Sequence, residues 1–225
     1  MRILAIESSA KAASVAIVDA GRLIAEIFLN SGLKHSVTIM PSVERLLEST
    51  GIGISDMDRI AISKGPGSFT GLRIGMAAVK GLAWACDIPC CAVSSLEAAA
   101  VGVAHMGGTV CAVMDARAGQ VYNALFSAHD GKLSRLCEDR AISVSELLCE
   151  LSEKKDVIFV GDGADMCYNE SQGKFRIAPE HLRYQRASGV ATLAETCETY
   201  TAEELRPEYI RLPQAERERL EKLKK

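Results

Sequence analysis

"RILAIESSAKAASVAIVDAGRLIAEIFL", residues 2–29, decides the fold. Arg2 to Ser8 reads as a strand, Ala13 to Val18 as a second and Leu23 to Leu29 as a third, with Asp19-Ala20-Gly21 as the tight turn between the last two. Strands joined so closely can pair antiparallel. The period then changes. From His35 to Ser49, apolar residues fall at Val37, Met40, Val43, Leu46 and Leu47, a helical spacing that Gly51 ends. Arg59 to Ser63 is a short buried strand. A glycine-rich loop follows and leads into a helix from about Thr70 to Cys86. Cys90 to Val93 is a further strand, and Ser94 and Ser95 are N-cap candidates for a helix over Leu96 to Ala104.

Thr109 starts the cycle again. Thr109 to Met114, Val121 to Ser127 and Leu133 to Cys137 read as strands, with Asp130-Gly131 as a hairpin turn. Ser143 and Glu146 make a capping box for a helix to Leu151, and Val157 to Val160 is a strand entering Gly161-Asp162-Gly163. Arg186 to Tyr200 reads as a helix, and the chain from Gln214 onward is a charged tail. Strand, strand, strand, helix, strand, helix, given twice without a sequence repeat, is an architectural duplication. It predicts an α/β protein of two ribonuclease-H-like lobes, 1–106 and 107–213, with the hinge at Gly107-Gly108 and the tail at 214–225.

At 48% hydrophobic the chain can build a core, and a net charge of −3 gives no broad reason to bind nucleic acid. Glu7 interrupts the only early apolar run, so no signal peptide is expected. The longest uncharged run, Ala98 to Met114, carries His105 and two glycines and is too short to span a bilayer. A cytoplasmic protein is expected, and its eight cysteines, with no C-x-x-C pair among them, read as reduced, buried structural thiols.

The loop "SKGPGSFTGLRIG", 63–75, invites a phosphate-binding reading but fails it. A Walker loop needs four residues between its glycines and a lysine after the second; here five separate Gly65 from Gly71, and Leu72-Arg73 follows. The dinucleotide fingerprint fails too, since Gly71 comes one residue late. Gly71, Gly75 and Ala78, continued by Leu82, form a small-residue stripe that suggests close approach of another helix, within the lobe or on a partner. Arg73 is expected at the unfavourable end of the helix dipole, where it either meets an acid or points into water. The four histidines have no metal-binding spacing, and His35 reads as a surface or capping residue. Glu7-Ser8-Ser9 in the first lobe and Asp115-Ala116-Arg117-Ala118-Gly119 in the second occupy the matching hairpin positions that bind phosphate in duplicated ATPase folds. The first turn has no glycine and the second has only Gly119 where such a site uses a pair, so Glu7, Ser8, Ser9, Asp115 and Arg117 read as a vestigial nucleotide cleft.

Several segments resemble the TsaB (YeaZ) family: "ILAIESSAKAASVAI" at 3–17, "HSVTIMP" at 35–41, "GPGSFTGLRIG" at 65–75, "DIPCCAVSSLEA" at 87–98, "DARAGQVYNALF" at 115–126 and "RPEYIR" at 206–211. Glu7 stands where the family usually has aspartate, and Gln120 where it often has glutamate. The resemblance implies an actin-like, ASKHA-type fold of mixed sheets flanked by helices, and a protein without catalysis of its own. It implies an accessory role to TsaD, which transfers threonylcarbamoyl to adenosine 37 of tRNAs reading ANN codons. TsaD-like proteins bind a catalytic metal through V-N-H-x-E-G-H. Here the run is Val93-Ser94-Ser95-Leu96-Glu97-Ala98-Ala99, with both histidines replaced. The implied partners are TsaD, the ATPase TsaE within the larger complex, a second copy when TsaD is absent, and tRNA only through the complex. No cofactor is implied as required; an ATP or ADP at the complex interface is left open. Pairing is implied to use helices 35–49 and 70–85, which makes Gly71, Arg73, Gly75, Ala78, Leu82, His35 and Met40 the expected interface. Two other readings stand beside this one: an ASKHA-type ATPase or kinase using the interlobe cleft, and a metallopeptidase.

Overall fold

In the computed structural model, which describes residues 1–211, the opening stretch is a three-stranded meander. β1 (Arg2–Glu7), β2 (Ala13–Asp19) and β3 (Arg22–Leu29) pair antiparallel in chain order. α1 (His35–Thr50) ends at Gly51, whose φ of 66° places it in the left-handed region that closes a helix. β4 (Arg59–Gly65) then runs parallel to β1. α2 (Phe69–Cys86) starts at Ser68, whose hydroxyl accepts from the Gly71 N–H at 3.2 Å. β5 (Cys90–Ser94) pairs parallel with β4, and α3 (Ser95–Val101) begins at the Ser94 cap.

The second cycle repeats the plan. β6 (Gly108–Arg117), β7 (Gln120–His129) and β8 (Lys132–Arg135) form a second antiparallel meander. β9 (Arg140–Ser143), absent from the sequence reading, adds to β7. α4 (Val144–Leu151) carries the expected Ser143–Glu146 capping box. β10 (Val157–Val160) lies parallel to β6, followed by α5 (Ala164–Glu170), β11 (Arg176–Ile177), α6 (Glu180–Arg183), α7 (Ala187–Ala194) and β12 (Thr199–Tyr200). The first sheet has the order β12-β5-β4-β1-β2-β3 and the second β11-β10-β6-β7-β8. From the third strand inward, both follow the ribonuclease-H-like order: an antiparallel meander, then strands laid parallel to its first member across helical connections.

The expected division of the chain at Gly107 does not hold for every element. α3 follows a strand of the first sheet, yet Leu96, Ala99, Ala100 and Val103 are buried against Val110, Ala112 and Phe126 of the second. α7 comes late in the chain, yet Ala187, Val190, Ala191 and Ala194 are buried against Ile3, Ala16 and Ala61 of the first. Glu26 on β3 fixes its start, accepting from the Ser188 N–H at 3.1 Å and from Arg186 at 3.1 Å. The expected helix over 186–200 therefore stops at Ala194, and Thr199–Tyr200 returns as an edge strand on β5. The lobes are clasped by exchanged helices rather than joined end to end. Where they cross, a Cβ on Gly189 would lie 2.2 Å from the Ala98 carbonyl oxygen, so glycine permits the contact.

The cysteines are all unpaired, but not all buried: Cys90, Cys91, Cys111 and Cys167 are, Cys86, Cys137 and Cys197 are half-buried, and Cys149 is exposed. Among the described residues no helix is long and apolar enough to cross a membrane. The expected tail, 214–225, lies outside the described residues.

Candidate functional site: the interlobe cleft and the outer helices

A cleft of about 770 Å³ opens between the lobes, lined by Ser9, Lys11 and Ser68 on one side and Asp115, Arg117 and Asp162 on the other. The residues expected there do converge. Glu7 and Ser8 lie buried at the end of β1, beneath the turn that carries Ser9. One Glu7 oxygen accepts from the Ser9 N–H at 2.6 Å and its hydroxyl at 2.5 Å; the other, like the Ser8 hydroxyl, has no partner. Burial pushes the Glu7 carboxyl above its ordinary range, and the nearby Asp162 charge pushes the same way, against the hydrogen bonds from the Ser9 hydroxyl and N–H.

Asp162 is the residue the sequence reading missed. It sits in the turn between β10 and α5, beside Asp115 of the β6–β7 hairpin on the same side of the cleft. Burial, with the Asp115 charge adding to it, raises its pKa to about 6 against a hydrogen bond from Gln185. The signal was available in Gly161-Asp162-Gly163, a turn at a strand end. A Cβ on Gly161 would lie 2.1 Å from the Val113 carbonyl oxygen, so the turn is pressed against β6.

The place where a phosphate loop would stand is filled by the chain itself. Ser68 N–H donates to the Ser9 carbonyl at 2.6 Å, and a Cβ on Gly67 would lie 2.3 Å from that oxygen. The loop before α2 is thus closed onto the β1–β2 turn.

The same logic corrects the expected interface. A Cβ on Gly71 would lie 2.2 Å from the Ser8 carbonyl oxygen, and one on Gly75 2.1 Å from Ser8 Oγ. Both glycines are buried, and they let α2 approach the end of β1, not a partner. Ala78 and Leu82 pack half-buried on the same core. His35 is held inward, its Nε2 2.9 Å from the Ala10 carbonyl oxygen. Arg73 is the fifth residue of α2, past the first turn where the dipole acts most strongly. It meets no acid, and its side chain stays exposed to water on the outward face. Its Nε donates to Tyr209 Oη at 3.0 Å, and its guanidinium lies 5.1 Å from the centre of the Phe69 ring, which stacks on Tyr209 at 3.8 Å. Met40, by contrast, is exposed as expected.

Tyr209 belongs to "RPEYIR", which forms a strap across both lobes. Glu208 N–H donates to the Lys64 carbonyl at 2.7 Å, and its carboxylate pairs with Lys64 Nζ at 2.8 Å. Arg211 then donates to the Ala116 carbonyl of the β6–β7 hairpin at 2.7 Å.

The outward face of α2 is Arg73, Ala77, Gly81, Trp84 and Ala85. Trp84 is 80% exposed, and Val37 of α1 60%. Leu33, His35 and Ile74 line a groove of about 270 Å³ between the starts of the two helices. Arg73 and Lys80 are the only charged residues of α2. A helix apolar on all sides is normally covered on all sides, and this one is covered on one.

The metal site expected of a TsaD-like protein does not fit these residues. Of the two positions that hold histidine in V-N-H-x-E-G-H, Ser95 is wholly buried with its hydroxyl unpartnered and Ala99 sits in the apolar core beneath α3. Among the described residues no three His, Cys, Asp or Glu side chains group as metal ligands.

Two ribonuclease-H-like sheets clasped around a cleft define the actin-like class of two-lobed proteins. The family model for TsaD, tRNA N6-adenosine threonylcarbamoyltransferase, matches residues 24–219. The tRNA threonylcarbamoyladenosine biosynthesis protein TsaB of Bacillus subtilis is 35% identical over 231 residues, covering 100% of both chains. YeaZ from Pseudomonas aeruginosa superposes with a TM-score of 0.78 at 26% identity, over 92% of this chain and 99% of that one. A second Pseudomonas aeruginosa structure, of an uncharacterized protein with similarity to peptidase YeaZ, gives 0.81 at 27% identity over 93% and 99%. The chain belongs to the TsaB (YeaZ) family.

Proposed function

We propose that the chain is a non-catalytic scaffold in tRNA threonylcarbamoyladenosine biosynthesis, which pairs through the outer faces of α1 and α2 with a TsaD-family subunit and activates it. The observation that carries this reading is α2: an 18-residue helix with two charges, packed on one face and open on the other, with Trp84 80% exposed. Such a face gains by association, at about 25 cal/mol per Å² of apolar surface removed from water. The replaced histidines, Ser95 and Ala99, argue against a transfer reaction on this chain itself.

In this reading the partner performs the transfer to adenosine 37 of tRNAs reading ANN codons. The ATPase TsaE joins the paired complex, tRNA is met only through it, and a second copy of this chain covers the same face when the partner is absent. Pairing requires no cofactor. An ATP or ADP, where one enters, sits at the interface of the complex near the cleft. The setting is the cytoplasm.

The test is a reconstituted transfer assay. A TsaD-family subunit with TsaE, threonylcarbamoyl donor and tRNA should modify tRNA only when this chain is added, and the chain alone should neither modify tRNA nor turn over ATP. ATP hydrolysis by the chain alone that falls on replacing Asp115 would favour the ATPase reading instead.

A further inference from the structure

Five cations gather at the mouth of the interlobe cleft. Lys11 and Arg117 line the cleft, and Lys11 with Lys34 lines the smaller groove at the starts of α1 and α2. The two spaces share Lys11, Ser68 and Thr70, so they form one trough. Arg73 stands at its lip beside Phe69, and Arg211 is held there by the Ala116 carbonyl at 2.7 Å. Among the described residues none of the five makes an ion pair. Lys11, Lys34, Arg73 and Arg117 are exposed. The acids lining the trough are Asp115 and Asp162. Asp115 accepts from the Arg117 N–H at 2.7 Å rather than from its guanidinium. Glu208, next to Tyr209 on the strap, is already paired with Lys64. The lip is therefore net positive in a chain whose net charge is −3.

We propose that this trough is a contact for the phosphate backbone of RNA, the tRNA that the complex modifies. That the RNA is tRNA rests on the role proposed above; the trough itself does not. A single nucleotide phosphate is bound where the N–H groups of a loop converge on one point, and the closure of Ser68 onto the Ser9 carbonyl at 2.6 Å removes that arrangement. The cations are spread instead from the start of α1, past the β1–β2 turn, to the tip of the β6–β7 hairpin. Such a row suits a chain of phosphates, which carries one charge per nucleotide. The Ser68 hydroxyl and the rings of Tyr122 and Tyr184 line the rest of the cleft, groups that meet ribose and bases. The positive excess is only local, so the chain alone holds RNA weakly and adds its contacts to those of the complex. The trough lies at the N-terminal ends of α1 and α2, while Met40, Ala77 and Trp84 lie farther along them, which leaves RNA a place beside the partner.

The first arm of the test is fluorescence anisotropy of labelled tRNA titrated at low salt with the whole chain. The parent is compared with Lys11→Glu plus Arg117→Glu, and with Lys132→Glu plus Lys155→Glu. Lys132 on β8 and Lys155 between α4 and β10 are exposed and line neither space, so the second pair changes the net charge equally but away from the trough. The parent should bind. The trough pair should lose at least about fivefold in affinity, and its plot of log K against log salt should flatten by about 1.4–1.8, the counterion release of two phosphate contacts. The control pair should stay within about twofold of the parent. The second arm repeats the titration with a TsaD-family subunit present, pairing being followed separately by calorimetry. Failure to pair overturns the scaffold reading and leaves the first arm to decide on the trough; pairing with the same order of tRNA affinities supports both. No tRNA binding by the parent chain at low salt, equal losses in the two pairs, or displacement of tRNA by an equimolar amount of ATP overturns the trough as an RNA contact.

Discussion

Gly71 and Gly81 lie on the same helix and answer differently to one added methyl group. At Gly71 the new carbon would meet the Ser8 carbonyl oxygen at 2.2 Å, a backbone atom with nowhere to go; at Gly81 it would meet nothing within 4 Å. Gly71→Ala should therefore destabilise the fold by about 1–3 kcal/mol through overpacking. Gly81→Ala should stabilise it by about 0.5–1 kcal/mol through helix propensity. Urea unfolding of both checks this, and equal effects would contradict the close approach of α2 to β1. Asp162 makes a second test. An acid whose pKa is higher folded than unfolded stabilises the fold when protonated and loses that contribution as pH rises through the folded value, here about 6. Asp162→Asn removes the titration. Its stability gain over the parent should grow from near zero at about pH 4 to about 1–3 kcal/mol at about pH 8. A gain that does not change with pH would mean that the carboxylate is solvated.

At the scale of the element, the strap is held by one stack and one hydrogen bond at Tyr209. Tyr209→Ala should cost about 1–2 kcal/mol, combining lost ring contact and the lost pair with Phe69. Tyr209→Phe should cost about 0.5–1 kcal/mol, the worth of the Arg73 hydrogen bond alone. Thermal unfolding of the two separates the contributions, and equal losses would put the stabilisation in the hydroxyl. The strap's contacts were not legible in the sequence. Its partners Lys64, Phe69 and Arg73 lie far earlier in the chain, and no local pattern connects them. The two meanders were legible because Asp19-Ala20-Gly21 and Asp130-Gly131 mark their turns. β9 was hidden by the charged run Glu138-Asp139-Arg140 that leads into it, Arg140 being its first residue, and β12 by the helical pattern of Ala187 to Ala194, which runs almost up to it.

For the whole molecule, the duplicated order predicted two lobes, and the two sheets bear that out. It could not predict the exchange of α3 and α7, because both helices are apolar on faces that fit either sheet, and tertiary packing chose. The cleft residues Glu7, Ser8, Ser9, Asp115 and Arg117 were legible from their places at strand ends. The interface stripe was read on the wrong side of α2: small residues mark close approach, and here the approach is to the chain's own β1. The outer face was signalled instead by what it lacks, since α2 has only Arg73 and Lys80 to meet water. That face carries the central claim. The most direct test is a calorimetric titration of this chain into a TsaD-family subunit, with Ala77→Asp as the variant that charges the outer face and Met40→Asp as its counterpart on α1. The account predicts a one-to-one complex at micromolar concentration or tighter for the parent, and at least about tenfold weaker binding for each variant, roughly 1.4 kcal/mol or more, with unchanged thermal stability. No complex for the parent, or undiminished binding by both folded variants, would contradict it.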